Sequence, residues 1–191
     1  MKSLMQQALG ATWDKLPPAL QAHYRFGSTV DKGSMDIEYP RLMQPVWSIL
    51  RLFGALVDRP GKGVTTVVEK RVVGDRQIWH RTITYIDGQV VRFNSFWVAT
   101  GNGEVVEFVN PVLGLQMAPY VVGDKLNYRG VRFVAKIGAV TIPIPEWLTL
   151  GHATIFEEAL DDTHFAMDFR LTHPLFGQLF RYSGTFEAAT R

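Results

Sequence analysis

Arg81 lies in the run Trp79-His80-Arg81-Thr82-Ile83-Thr84-Tyr85. Side chains alternate along a strand, so Trp79, Arg81, Ile83 and Tyr85 share one face. An arginine among aromatic and aliphatic neighbours must find a carboxylate or another acceptor, because burying it unpaired is costly. Glu157, on a face with Ala153, Ile155 and Ala159, is one candidate partner, and Glu107 and Glu69 are others. The plain outcome is a structural ion pair, or a surface arginine resting its stem on Trp79. The sharper outcome is a clamp for an acidic head group, since a guanidinium binds a carboxylate through two parallel hydrogen bonds. On the last strand, if Phe180, Tyr182 and Phe186 point inward, Arg181 points outward. Trp79, Arg81, Tyr85, Glu157 and Tyr182 are therefore the candidate ligand-binding residues.

Other chemistries find little support. The five histidines, His23, His80, His152, His164 and His173, include no i, i+4 pair on a helix and no H-E-x-x-H, so no metal site is expected. No G-x-S-x-G elbow is present, and the adjacent Glu157 and Glu158 alternate faces, so they form no acid–base pair with each other. Gly61-Lys62-Gly63-Val64-Thr65 lacks P-loop spacing and reads as a helix-to-strand loop. With no Rossmann fingerprint either, no cofactor is expected. The absence of cysteine excludes disulfides, thiolate zinc sites, iron–sulfur ligation and cysteine nucleophiles.

The chain that must position these residues has 191 of them, 47% hydrophobic and 20% charged, enough for one domain with its own core. Net charge is +2, from 20 basic against 18 acidic residues, a near balance that offers no nucleic-acid-binding face. The first residues carry no apolar signal region, so a cytoplasmic location is expected. Met43 to Val57 is too short to cross a bilayer and contains Arg51. Val105 to Val122 is broken by Glu107, Pro111, Gly114 and Pro119, so no stable membrane insertion is expected.

Hydrophobic spacing places short helices at Ser3 to Leu9 and at Pro18 to about Tyr24, and a longer one over Met43 to Val57. Gly27 to Tyr39 reads as extended or as a short strand. From Val64 the period changes to two, and strands follow one another through Ala188. Asp87-Gly88 is the strongest hairpin signal. Lys125 to Tyr128 and Val131 to Ile137 read as separate strands, with Val131, Phe133, Ala135 and Ile137 inward. Glu146 to Leu148 reads as one helical turn. No helix is left for βαβ crossovers, so a parallel sheet is disfavoured. The expected fold is mainly β (α+β) and single-domain over 1–191. A helical N-terminal part, 1–62, packs on a strongly curved antiparallel sheet or closed barrel of about nine or ten strands, 63–191.

Several motifs in fixed order carry a family resemblance. They are Leu9-Gly10-Ala11, Leu16-Pro17-Pro18-Ala19-Leu20, Gly33 with Glu38, Trp79-His80-Arg81, Ser95, Ile144-Pro145-Glu146-Trp147-Leu148, and Pro174-Leu175-Phe176-Gly177 followed by Arg181-Tyr182-Ser183-Gly184. In these the chain resembles a bacterial family known as domain of unknown function 4166. Tyr39-Pro40 departs from the family's usual arginine and glycine, and Asn110 to Tyr120 has no counterpart. Family members occur alone or appended to saccharopine-dehydrogenase-like reductase modules. The resemblance thus implies a small-molecule context and a possible reductase-type protein partner, but no catalytic residues.

The functional expectation is a non-catalytic binder of a small apolar or amphipathic, lipid- or acyl-like ligand. Arg81 and Trp79 would orient its polar end, and the helix at Met43 to Val57 would cover the mouth. Two alternatives are a metal-independent isomerase or cyclase using the same cavity, and an interaction module for a reductase or membrane partner.

Overall fold

A computed structural model describes residues 2–54, 57–145 and 148–189. Three short α-helices precede or interrupt the strands: α1 (Leu4–Leu9), α2 (Pro18–Tyr24) and α3 (Gln44–Leu52). Ser3 starts α1 with a reciprocal capping box to Gln6, and Pro18 opens α2, where a missing N–H costs nothing. A 3₁₀ turn at Gly10–Lys15, not legible in the hydrophobic pattern, joins the first two.

Eleven strands follow: β1 (Thr29–Glu38), β2 (Gly61–Val73), β3 (Arg76–Thr84), β4 (Val90–Ala99), β5 (Val105–Phe108), β6 (Leu113–Val122), β7 (Lys125–Ile137), β8 (Val140–Ile144), β9 (His152–Ala159), β10 (His164–His173) and β11 (Gly177–Ala189). Every pairing is antiparallel. The order β6-β5-β4-β3-β2-β1-β11-β10-β9-β7 is closed by β6 against β7, giving a ten-stranded barrel, and β8 is added outside on β7. Closure pairs most of the strand edges that an open sheet would expose.

Several boundaries differ from the sequence reading. The segment 1–62 is not purely helical, because β1 is a full strand between β2 and β11 that completes the wall. Its Asp31, Lys32 and Gly33 break the apolar alternation that would have marked it. Gly61 to Gly63 belongs to β2 rather than to a loop. Helix α3 ends at Leu52, and Val57 is buried beyond it without helical structure. Lys125 to Tyr128 and Val131 to Ile137 form one strand, with a bulge where β6 and β7 change register at Gln116/Met117. Phe133 faces inward opposite Leu115, but Ile137 is exposed at the hairpin end. The expected turn at Glu146 to Leu148 falls mostly outside the described residues.

Strand β7 also explains where the barrel opens. Its first half pairs with β9, Leu126 to Arg129 against Glu157 to Thr154, and its second half pairs with β8. The wall between β7 and β9 therefore parts on one side. At the β1–β11 crossing the strands approach closely: a Cβ on Gly33 would lie 2.0 Å from the Thr185 carbonyl oxygen, and one on Gly184 2.2 Å from that of Ser34. Only glycine fits there, which gives two of the resemblance positions a physical reason. Others lie on the outer face, where Asp168 accepts from Arg170 and Arg181, and Arg181 reaches Glu38 at 3.3 Å.

The core lies inside the barrel. Val64, Thr66, Val68 and Lys70 of β2 face inward, as do Trp79, Arg81 and Ile83 of β3 and Val91, Phe93, Ser95 and Trp97 of β4. Arg92 and Asn94 face outward. Helices α1 and α2 close one end of the barrel. Helix α3 lies at the other, anchored by the buried Trp47 against Tyr39 and Phe180.

Candidate functional site

Between the two caps the interior holds charged side chains at inward strand positions. Arg81 is buried and donates to Ser95 Oγ (2.8 Å) and Glu107 Oε1 (3.0 Å), and Ser95 donates to the same Glu107 oxygen (2.6 Å). Three adjacent strands, β3, β4 and β5, supply this set. The guanidinium also lies 4.9 Å from the ring centroids of both Trp79 and Phe93, so the cation is held by π faces as well as by a carboxylate.

Nearer α2 lies a second polar group. Lys70 Nζ is 2.7 Å from Asp31 Oδ2 and also donates to the His23 carbonyl. His23 Nδ1 is 2.8 Å from Asp31 Oδ2 and 2.9 Å from Lys70 Nζ, and a neutral ring can serve only one of them. Burial, reinforced by Lys70, pulls His23 down to about 4. Burial pushes Asp31 up, but Lys70 and His23 outweigh it and hold the carboxyl at about 2. Burial lowers Lys70, against the pull of Asp31. Tyr24 donates to Glu157 Oε1 at 2.7 Å, yet burial still raises Glu157 to about 7. Asp31 Oδ1, Glu157 Oε2 and the indole nitrogens of Trp79 and Trp97 are buried without a hydrogen-bond partner among the described residues.

Two cavities occupy the interior. The inner one, about 50 Å³, is bordered by His23, Tyr24, Asp31, Trp79, Arg81 and Glu157. The outer one, about 420 Å³, lies at the α3 end, where β7 parts from β9. It is lined by Leu115, Phe133, Phe169 and Leu171 of the wall, Val46 and Leu50 of α3, and the segment Leu148 to Leu150. Phe93, Glu107 and Tyr182 border both cavities, so one layer of side chains separates them. Outside the mouth, Leu42, Ile49, Leu52 and Phe53 are exposed.

Of the five candidate residues, Trp79, Arg81, Glu157 and Tyr182 meet at the inner cavity, and Tyr182 also borders the outer one. Tyr85 does not join them. Its hydroxyl donates to the Arg59 carbonyl (2.6 Å) and its ring lies under the Arg59 guanidinium, which fastens the loop before β2. Tyr85 has the right alternation phase but sits one rung too close to the barrel rim. Glu107 is the partner of Arg81 among those considered; Glu157 bonds to Tyr24 instead, and Glu69 is exposed. Asp31, Lys70 and His23 were missed as a group. The available signal was a charged residue in the inward phase of two strands, Lys70 after Val64, Thr66 and Val68, and Asp31 between Thr29 and Met35.

Among the described residues no group of three or more His, Asp or Glu side chains is arranged to hold a metal, and no helix is long and apolar enough to cross a membrane. A family model described as "Domain of unknown function (DUF4166)" matches residues 16–186. The chain is similar to a solved structure described as "Crystal Structure of Rv2717c from M. tuberculosis", with 15% identity, a TM-score of 0.45, and coverage of 92% of this chain and 99% of that one. A comparison with curated proteins finds no match.

Proposed function

The chain belongs to the family of the domain of unknown function DUF4166, and from that premise we propose that its barrel binds a small apolar or amphipathic molecule. The observation that carries this reading is the outer cavity, about 420 Å³, walled almost wholly by aliphatic and aromatic side chains. That volume falls in the range of small-molecule sites, roughly 300–1,000 Å³. A ligand enters beside α3 and places its apolar body against Leu115, Phe133, Phe169 and Leu171. Its polar end meets Glu107 at the cavity floor, with Arg81 and Trp79 behind the carboxylate on the side of the inner cavity. The exposed Leu52 and Phe53 beside the mouth give an apolar molecule a surface to cross on entry.

The test is saturable binding of the fluorescent probe N-phenyl-1-naphthylamine. The wild-type chain should bind one equivalent with blue-shifted emission, and Leu115→Trp, which fills the cavity, should abolish binding while the fold persists by circular dichroism. Absence of saturable binding, or binding indifferent to the filling substitution, overturns the reading.

A second reading, a metal-independent isomerase or cyclase, draws on Glu157. A buried carboxyl at about 7, bonded to Tyr24 and bordering the inner cavity, is matched to proton transfer near neutral pH. It requires that turnover be lost in Glu157→Gln while ligand binding is retained.

A further inference from the structure

The floor of the outer cavity is chemically selective, and this inference rests on the binding reading above. Arg81 is not a free cation. Its guanidinium is neutralised by Glu107 at 3.0 Å and bonded to Ser95, and both charged side chains are about nine-tenths buried. Glu107 Oε1 accepts from both Arg81 and Ser95, whereas Oε2 has no partner among the described residues. Glu107 borders the outer cavity as well as the inner one, which brings this unused acceptor within reach of a ligand there. Tyr182 borders the same floor, and its hydroxyl forms no hydrogen bond with a described residue.

A carboxylate head group placed here would meet the carboxylate of Glu107, and like charges at close range in a poorly solvated site are strongly disfavoured. An ammonium head group would give up its hydration beside a carboxylate that Arg81 already neutralises, so it too is disfavoured. An uncharged hydroxyl avoids both. It donates to Glu107 Oε2 and accepts from the Tyr182 hydroxyl, so each group finds a partner. We propose that the barrel selects an apolar alcohol, a long-chain or polycyclic molecule with one hydroxyl, over the corresponding acid or amine.

Displacement of N-phenyl-1-naphthylamine by 1-dodecanol, dodecanoate and dodecylammonium, all at about pH 8 where both ions are charged, tests this. 1-Dodecanol should displace the probe at least about tenfold more effectively than either ion. Equal or better displacement by dodecanoate or dodecylammonium overturns the head-group inference and leaves the binding reading standing. Failure of the wild-type chain to bind the probe at all overturns the binding reading itself. Glu107→Leu combined with Arg81→Met removes both charges together, so no lone ion is stranded. This pair of substitutions takes away the acceptor of the hydroxyl and should weaken displacement by 1-dodecanol at least about threefold. Undiminished displacement by 1-dodecanol in the folded double variant also overturns the assignment.

Discussion

Arg81 and Glu107 lie 3.0 Å apart inside the barrel, on strands separated by β4, and Ser95 of that middle strand binds both. The ion pair is a cross-brace for three strands, and its Glu107 end also borders the outer cavity. Desolvation of two charges offsets most of their attraction, but removing one partner strands the other.

That asymmetry sets the first prediction. Arg81→Met and Glu107→Leu should each destabilise the fold by about 3–5 kcal/mol, and the double substitution by far less than their sum. Urea denaturation of the four chains measures the coupling. Additive losses would mean that the two groups act independently.

The pH dependence of stability should be nearly flat between pH 6.5 and 4.5, because two groups oppose each other. The unfolded chain protonates His23 near its ordinary 6.5 and the native chain only at about 4, so His23 costs stability as pH falls through that window. The native chain protonates Glu157 at about 7 and the unfolded chain at 4.5, so Glu157 contributes stability as pH falls and loses it as pH rises. Glu157→Gln should unmask the His23 slope, about 1.4 kcal/mol per pH unit at most, and should raise stability above pH 7. A variant whose profile keeps the wild-type shape would refute the assignment.

Below pH 4 a third group dominates. Asp31 is held at about 2 against an ordinary 3.8, so its contribution is intact above 3.8 and is lost as pH falls toward 2. Acid unfolding should therefore steepen in that range. Asp31→Asn should remove the steepening while leaving Lys70 without its carboxylate. Fluorescence-monitored acid titration of both chains checks this.

Trp47 is 1% exposed and is the buried anchor of α3, whose Ile49 and Leu52 face solvent. Trp47→Ala should cost about 3–5 kcal/mol if the cavity cannot collapse. Hydrogen exchange should speed up first over residues 44–52, and the β-strand amides should remain protected. Uniform loss of protection would place Trp47 in the barrel core rather than in the cap.

Gly33→Ala should be among the most damaging small substitutions, since its Cβ would meet the Thr185 carbonyl at 2.0 Å. Gly88→Ala, at φ 82° in the Asp87-Gly88 turn with open space around it, should cost only about 1 kcal/mol. Thermal melts of the two variants distinguish backbone crowding from turn strain, and similar melting temperatures would contradict the difference.

Local rules determined much of this molecule. Alternation in Trp79, Arg81 and Ile83, the Asp87-Gly88 turn, the proline at the start of α2 and the absence of crossover helices each act over a few residues. Together they require an antiparallel sheet, and they put Arg81 on one face with Trp79, Glu157 with Ile155, and Tyr182 with Phe180 and Phe186, without fixing which face is inward. Tertiary structure decided what periodicity cannot express. The pairing of Arg81 with Glu107 rather than Glu157 depends on how far round the barrel each strand lies. The full length of β1 depends on partners at both edges, since its own residues alternate poorly. The outer cavity lies where β7 leaves β9 for β8 halfway along, a change of partner between strands far apart and close together in sequence. Volume left unfilled is a sum over side chains from ten strands and a helix, and no single stretch of sequence carries it.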